Sequence, residues 1–343
     1  MLHFECDYTQ GAHPKVMEML QKTNMEQTAG YGEDPYCEAA KELICSACGK
    51  PDADVHFLVG GTQTNATIIA SVLRPYQGVL CAETGHINVH ETGAIESKGH
   101  KVLPIQSFDG KITGMQIREM CEQHFQDVNH EHMVQPGMVY ISFPTENGTI
   151  YSKAELEEIS IVCQQYGLPL FIDGARLGYG LMADGNDLTL EDITDLCDVF
   201  YIGGTKVGTL FGEAVVFPNP DLARDFRYLI KQNGGMLAKG RLLGIQFLAL
   251  FEDNTYFKIA RHADELAMQI KNALKAKGYQ FLYDSNTNQQ FPILPDVVVQ
   301  QLEKKYVFSF WQKVGDNHTA VRFCTSWGTK AEEVNQLVMD ILR

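Results

Sequence analysis

Short apolar runs alternate with amphipathic stretches over the first two thirds of this chain. Alternation of this kind is typical of a mainly parallel sheet that is covered by helices on both faces. Most of the runs are apolar throughout, as expected for strands that are buried on both sides. The predicted strands are residues 55–59, 78–82, 101–105, 138–143, 170–172, 198–202 and 212–217. The predicted helices between them are residues 65–73, 88–98, 115–126 and 154–166.

The last third of the chain mixes helices and strands without that regular alternation. Helical patterns cover residues 240–251, 256–277 and 330–342, and strand patterns cover residues 306–310 and 320–324. A chain of 343 residues is also long for one compact domain. We therefore predict an α/β/α sandwich domain over residues 1–240, whose first ~15 residues form an N-terminal arm, and a smaller C-terminal α+β domain over residues 241–343.

The composition is that of an ordinary globular protein, with 45% hydrophobic and 21% charged residues. A formal net charge of -15, without a cluster of Lys and Arg, argues against binding to nucleic acid or anionic membranes. No apolar run approaches the roughly 18–20 residues that span a bilayer, and the N-terminus lacks the pattern of a signal peptide. The nine cysteines are spread along the chain and fit reduced thiols better than a disulfide framework. We therefore expect a cytoplasmic protein.

Two polar segments directly follow predicted strands. Asp173-Gly174-Ala175-Arg176 follows one strand, and Gly203-Gly204-Thr205-Lys206 follows the next. A buried carboxylate can keep a pyridine nitrogen protonated, and a lysine can form a Schiff base with an aldehyde across the ring, which is the pattern of a pyridoxal phosphate (PLP) site. Taken singly, Asp173 could belong to an ordinary turn and Lys206 to a plain loop. Arg176 could pair with the phenolate oxygen of the cofactor, with Asp173, or with a surface carboxylate.

A glycine-rich turn, Gly60-Gly61-Thr62, joins a predicted strand to a predicted helix. Glycines let an anion approach the backbone, and the N-terminus of a helix offers it free N–H groups. The turn matches neither a Walker A loop nor a Rossmann fingerprint, so it indicates a phosphate site without indicating a nucleotide. Because ligands collect at the carboxyl ends of parallel strands, we expect this turn to lie close to Asp173 and Lys206.

His86 follows another predicted strand and is a candidate for the same edge of the sheet. Its ring could stack on the pyridine or move protons near neutral pH. A metal site is the competing interpretation, because His90 and Glu91 are close in sequence. The spacing is not His-Glu-x-x-His and no third ligand is evident, so we predict no metal. In the C-terminal part, Arg322 is a candidate for gripping the carboxylate of an amino acid, since a guanidinium binds carboxylates bidentately.

Together these motifs resemble the low-specificity L-threonine aldolases and the wider threonine aldolase and aromatic amino acid β-eliminating lyase family of fold type I PLP enzymes. The resemblance runs along most of the chain and is densest over residues 31–213. The motifs that carry it are Tyr31-Gly32-Glu33-Asp34-Pro35, Gly60-Gly61-Thr62-Gln63-Thr64-Asn65, the segment from His86 to Ala94, Asp173-Gly174-Ala175-Arg176, and Thr205-Lys206 with Gly212-Glu213.

The resemblance implies a role for each candidate around the ring. Lys206 would form the Schiff base with PLP. Asp173 would hold the ring nitrogen, Arg176 the ring oxygen, and His86 would stack on the ring face. The implied phosphate ligands are Gly60, Gly61, Thr62 and Thr205.

The resemblance also implies a substrate site and an assembly. Arg322 matches the family's carboxylate-binding arginine. Lys231 matches a lysine of the active-site rim that can reach across a subunit interface. Family members are dimers or tetramers with shared active sites, so a homodimer or homotetramer is expected.

Three positions depart from the family pattern, and all of them touch substrate or proton transfer. Cys6 stands where the family has an active-site serine, and Glu146 stands where typical aldolases have a second histidine. An expected arginine is absent, with Lys239 one position away. These departures leave the PLP prediction intact and weaken the choice of threonine as substrate.

The sequence therefore predicts a PLP-dependent aldolase that cleaves a β-hydroxy-α-amino acid, such as threonine or allo-threonine, into glycine and an aldehyde. His86 or Glu146 is the predicted base. The alternative is a PLP-dependent lyase that eliminates the β-substituent of a cysteine- or serine-like amino acid. Transamination, a catalytically silent PLP-binding protein and a metal hydrolase are weaker alternatives.

Overall fold

The computed structural model describes all residues from 1 to 343. Its strands are β1 (Leu2–His3), β2 (Asp54–Leu58), β3 (Gln77–Ala82), β4 (Lys101–Ile105), β5 (Gln135–Ser142), β6 (Leu170–Asp173), β7 (Val199–Gly203), β8 (Glu213–Phe217), β9 (Gln280–Phe281), β10 (Gln289–Gln290), β11 (Pro292–Pro295), β12 (Tyr306–Val307), β13 (Ser309–Val314) and β14 (His318–Cys324). Its α-helices are α1 (Pro14–Thr23), α2 (Pro35–Ala47), α3 (Gly61–Val72), α4 (His86–Val89), α5 (Gly114–Gln126), α6 (Lys153–Tyr166), α7 (Leu177–Met182), α8 (Leu190–Leu196), α9 (Phe226–Gln232), α10 (Arg241–Phe251), α11 (Thr255–Ala276), α12 (Asp296–Leu302) and α13 (Ala331–Leu342).

A seven-stranded sheet forms the centre of the larger part, in the order β2-β8-β7-β6-β5-β3-β4. β8 runs antiparallel to both of its neighbours, and the other strands run parallel to one another. Successive residues of one strand enter different hydrophobic clusters: Phe200 belongs to one cluster and Tyr201 to another. Because side chains alternate between the faces of a strand, both faces of the sheet are buried. This explains the uniformly apolar strand sequences and confirms the predicted mainly parallel α/β/α sandwich.

The predicted helix over residues 88–98 is wrong over most of its length. The structure has only the short helix α4 and a 3-10 turn over Glu96–Lys98. Between them, Thr92 has a φ of 52° and Gly93 a φ of 71°. A right-handed helix cannot run through two successive residues in the left-handed region. The predicted strand over residues 306–310 is likewise divided, into β12 and β13.

The C-terminal part contains a smaller sheet in the order β10-β14-β11-β9, with β13 paired to β14. The N-terminal strand β1 joins this part, because it pairs in parallel with β12. Helix α10 packs instead in the core beside the large sheet. The boundary between residues 240 and 241 stays a prediction. No helix in the structure combines the length and the apolar character needed to cross a membrane.

Candidate active site

One cleft of about 350 Å³ lies at the carboxyl ends of the parallel strands. The segments that follow β2, β3, β5, β6 and β7 all contribute to its wall, because these strands end at the same edge of the sheet. The predicted site residues that line it are Gly60, Gly61, Thr62, His86, Glu146, Asp173, Arg176, Thr205 and Lys206. The fold therefore brings together residues that are far apart in the sequence.

Asp173 is the last residue of β6 and is only 4% exposed. The hydroxyl of Tyr140 donates a hydrogen bond of 2.6 Å to one carboxylate oxygen, and the hydroxyl of Tyr201 donates to the other. Asn65 Nδ2 donates a further bond of 3.0 Å. Burial alone would raise the pKa of Asp173, but the charge of His86 and the tyrosine hydrogen bonds outweigh it and hold the pKa below its ordinary value. The carboxylate is therefore ionised at neutral pH, as a partner of a protonated ring nitrogen must be.

Lys206 follows β7 and lines the same cleft. Desolvation lowers the pKa of this amine, and the neighbouring charge of Arg176 lowers it further. The carboxylates of Asp7, Asp173 and Glu213 act in the opposite direction, but the net pKa stays below the ordinary value of lysine. A lysine in its neutral form is a nucleophile, so this environment favours attack of Lys206 on an aldehyde.

Arg176 forms a bidentate ion pair with Asp7, a partner that the sequence does not indicate. Its Nε donates to Asp7 Oδ2 at 2.7 Å and its Nη2 donates to Asp7 Oδ1 at 3.0 Å. Asn288 Nδ2 also donates to Asp7 Oδ2, at 2.9 Å. The side chain of Asp7 is fully buried and that of Arg176 is 13% exposed. The N-terminal segment therefore fixes the guanidinium at the cleft wall, and the pairing with Asp173 considered above is not formed.

Replacing Asp7 with leucine is expected to lower the free energy of unfolding by about 3 kcal/mol, because it leaves a buried guanidinium without its anion. Urea denaturation at pH 7 measures the loss. The double variant Asp7→Leu/Arg176→Met is the control, since removing both charges is expected to recover most of the lost stability. A loss below about 1 kcal/mol in the single variant would be typical of an exposed pair and would contradict the prediction.

The N-terminus of α3 also lines the cleft. Gly60 occupies the N-cap position, where no side chain caps the first turn of this helix of 12 residues. The amides of that turn are therefore available to an anion. A Cβ atom on Gly61 would lie 3.3 Å from the hydroxyl of Tyr201, so the backbone packs tightly against the group that holds Asp173. Thr62 lines the cleft on the same turn.

His86 begins α4 and is held by a buried carboxylate. Its Nδ1 lies 2.8 Å from Glu91 Oε1, which also accepts a bond of 2.8 Å from Asn65 Nδ2. Burial lowers the pKa of His86, but the hydrogen bond to Glu91 and the charge of Asp173 together raise it above its ordinary value. Glu91 thus orients the imidazole, and Asn65 joins this pair to the carboxylate of Asp173.

Glu146 lies beside His86, in the segment after β5. Its Oε1 accepts a hydrogen bond of 2.9 Å from the His86 amide and one of 2.7 Å from Ser142 Oγ. Desolvation raises the pKa of this carboxyl group above its ordinary value, against the hydrogen bond from Ser142. The cleft therefore contains two candidate bases, and the pKa of each is raised above its ordinary value.

Three predicted substrate residues lie outside the wall of this cleft. Arg322 donates a hydrogen bond of 2.7 Å to the carbonyl oxygen of Glu5, and its buried Nε has no partner. Tyr8, three residues after Glu5, lines the cleft, so the N-terminal segment connects Arg322 with the cleft. Cys6 lies half-buried on the same segment. Lys231 is elsewhere, with its Nζ 4.9 Å from the centre of the Tyr31 ring.

Several side chains hold the site together by hydrogen bonds that were not predicted from the sequence: Asp7, Asn65, Glu91, Tyr140, Ser142 and Tyr201. A signal existed for the two tyrosines, since they carry hydroxyl groups inside otherwise apolar strands. Asn65 also lies four residues after Gly61, on the same face of α3. The pairing of Asp7 with Arg176 spans 169 residues and leaves no local pattern.

The sequence model of the family described as β-eliminating lyase matches residues 4–296. The chain belongs to the β-eliminating lyase family. One member, the low specificity L-threonine aldolase of Pseudomonas sp. (strain NCIMB 10558), is 33% identical to it over 98% of this chain and 96% of the relative. The solved structure of Leishmania major threonine aldolase is 44% identical, and it superimposes with a TM-score of 0.97 over 99% of this chain and 98% of the other.

The fold of this β-eliminating lyase family member extends to more distant enzymes. A Thermus thermophilus aspartate aminotransferase mutant has a TM-score of 0.72 at 12% identity, over 100% of this chain and 91% of that one. This likeness concerns the fold alone, and it confirms the predicted fold type I architecture. The family depends on PLP, so the chain is a PLP-dependent lyase.

The cleft fits PLP at three points. An ionised, fourfold hydrogen-bonded Asp173 matches a protonated ring nitrogen. The Lys206 amine matches the aldehyde carbon, and the uncapped first turn of α3 matches the phosphate. The roles of the individual residues stay predictions.

Proposed function

We propose that this protein cleaves a β-hydroxy-α-amino acid of the threonine or allo-threonine type into glycine and an aldehyde. The observation that carries the proposal is the match to Leishmania major threonine aldolase, which extends over nearly the whole of both chains at 44% identity. The cleft supports it chemically, because two candidate bases, His86 and Glu146, lie side by side next to the predicted ring site.

The chemistry that PLP supplies when bound is withdrawal of electrons from the α-carbon of an amino acid. Asp173 would hold the protonated ring nitrogen through its negative charge, and Lys206 would provide the amine for the aldehyde carbon. Arg322, which donates to the N-terminal segment that also carries Tyr8 of the cleft wall, would bind the substrate carboxylate. Glu146 or His86 removes the proton from the β-hydroxyl group, which must be lost for the Cα–Cβ bond to break.

The proposal is tested by product analysis of the PLP-loaded protein with L-threonine and L-allo-threonine. Glycine and acetaldehyde in equal amounts, without ammonia, are the expected products. The alternative is β-elimination, which would release ammonia and a keto acid from L-serine or L-cysteine. Ammonia without glycine would overturn aldol cleavage and favour that alternative.

Glu146→Gln is expected to lower kcat for aldol cleavage about 10²-fold, as for loss of a general base. Because the base acts when ionised, the rate of the wild type should decrease as the pH drops below the raised pKa of Glu146. This decrease should be absent from the variant. The pH profile of kcat from 5.5 to 9 is the measurement. Ser142→Ala serves as a control, because it removes a hydrogen bond to Glu146 and keeps the carboxylate. An unchanged rate in Glu146→Gln would leave His86 as the base.

The proposal includes a homodimer or homotetramer in the cytoplasm. Lys231 lies outside the cleft of its own chain, so its predicted place at an active-site rim requires a second subunit. All nine cysteines are free, eight of them buried, which supports a reducing compartment. Sedimentation velocity tests the assembly, and a monomer that is fully active would contradict shared active sites.

A further inference from the structure

Glu213 is a buried carboxyl group of the cleft for which the proposed reaction has no use. It is the first residue of β8 and is 3% exposed. In the sheet it lies opposite Leu58, the last residue of β2, and opposite Gly203 at the end of β7. The turn into α3 begins directly after Leu58. Glu213 is therefore placed at the edge where the predicted phosphate site begins, and it lines the cleft together with Gly61.

Neutral groups hold this carboxyl group in place. The Gly204 amide donates to Glu213 Oε2 at 3.3 Å, and Thr205 Oγ1 donates to Oε1 at 3.0 Å. The same Thr205 oxygen accepts a bond of 3.0 Å from the Gly212 amide. Since Thr205 is itself a predicted phosphate ligand, the carboxyl group lies one hydrogen bond away from the expected phosphate position.

The charged groups that face Glu213 leave it without a dedicated counter-ion. Desolvation and, to a smaller extent, the charge of Asp173 raise its pKa to about 8, although the charge of Lys206 acts in the opposite direction. The phenols of Tyr201 and Tyr256 also feel its charge and are uncharged at neutral pH. A phosphate ester adds a charge of about -1.5 to -2 at pH 7, and such a neighbour disfavours an ionised carboxylate still more.

We propose that Glu213 binds the phosphate of PLP as a neutral carboxylic acid, with its O–H donating to a phosphate oxygen, so that binding in alkaline solution takes up one proton from solvent at this side chain. The uptake forms the O–H bond of the acid, and no other bond is made or broken. The inference rests on the cofactor and is independent of which bond of the amino acid is cleaved. Failure of the proposed aldol reaction would leave it standing.

The test uses full-length protein freed of cofactor and the probe 4′-deoxypyridoxine phosphate, which has no aldehyde and cannot attach to Lys206. Its Kd is measured from pH 6 to 9 for the wild type and for Glu213→Gln, a neutral variant of the same shape. Equal affinities are expected at pH 6. At pH 9 the variant should bind about 10-fold more tightly, because only the wild type must take up a proton there. Lys206 titrates in both proteins, so the difference between them reports Glu213.

Calorimetry in two buffers of different ionisation enthalpy counts the protons directly. At pH 9 the wild type should take up nearly one proton more than Glu213→Gln on binding the phosphate probe. Deoxypyridoxine, which lacks the phosphate, is the matched ligand control and should show no such difference. The proposal is overturned if the Kd of the phosphate probe depends on pH in the same way in both proteins, or if the wild type takes up no proton at pH 9. It is also overturned if the difference in proton uptake persists with deoxypyridoxine, which lacks the phosphate. Equal binding at pH 6 also shows that the variant is folded.

Discussion

Lys206→Ala is expected to lower the rate of Cα–Cβ cleavage by roughly 10⁴-fold or more, in the range seen when a covalent catalytic residue is removed. Lys206 is the lysine in the wall of the cleft, and desolvation together with Arg176 lowers the pKa of its amine. No other lysine of the same chain lines the cleft. The measurement combines steady-state kinetics with the visible absorption spectrum of the PLP-loaded protein.

Borohydride supplies the second readout for this variant. Reduction of the wild type should fix one PLP to the peptide that contains Lys206, as seen by mass spectrometry, and should remove the visible band. Lys206→Ala should show neither result. Lys258→Ala, which changes an exposed lysine on α11, is the control and should behave like the wild type. A labelled peptide in Lys206→Ala would mean that another lysine holds the cofactor.

Asp173→Asn is expected to lower kcat/KM about 10³-fold, which corresponds to about 4 kcal/mol of transition-state stabilisation. The substitution keeps the size of the side chain but removes the negative charge that four hydrogen bonds hold in place. Without that charge the protonated ring nitrogen loses its buried partner. The kinetic constants should be measured together with the Kd of PLP.

Tyr140→Phe is the matched control for the charge of Asp173. It removes one hydrogen bond of 2.6 Å and leaves the carboxylate, so a loss of about 10-fold is expected for a bond to a charged group. If Asp173→Asn lowered kcat/KM no more than Tyr140→Phe does, the site would depend on the hydrogen bonds of residue 173 and not on its charge.

The parallel sheet, and the edge of it that lines the cleft, were predictable because each depends on short stretches of sequence. Uniformly apolar strands indicate burial on both faces, and parallel strands end at a common edge. Asp173 and Lys206 each follow such a strand directly, so their approach in space follows from the sheet order. The helix over residues 88–98 failed for an equally local reason, since the left-handed conformations of Thr92 and Gly93 interrupt an otherwise helical pattern.

The network beneath the cofactor site was not predictable in this way. Asn65, Glu91 and His86 come from two helices and a loop and meet only once the sheet has formed. The bond between Asp7 and Arg176 joins the first residues of the chain to its centre. No periodicity or spacing in the sequence encodes such a pair, because each partner is determined by tertiary packing.

The N-terminal segment has a consequence for the order in which the protein matures. Glu5 and Arg322 are 317 positions apart, and Cys324 donates a backbone hydrogen bond to Phe4. During synthesis Glu5 leaves the ribosome 317 residues before its partner Arg322 is made. Contacts of such high contact order close late. The large sheet, whose last strand ends at Phe217, can therefore form before the N-terminal segment that carries Asp7 has met its partners at Arg322 and Cys324.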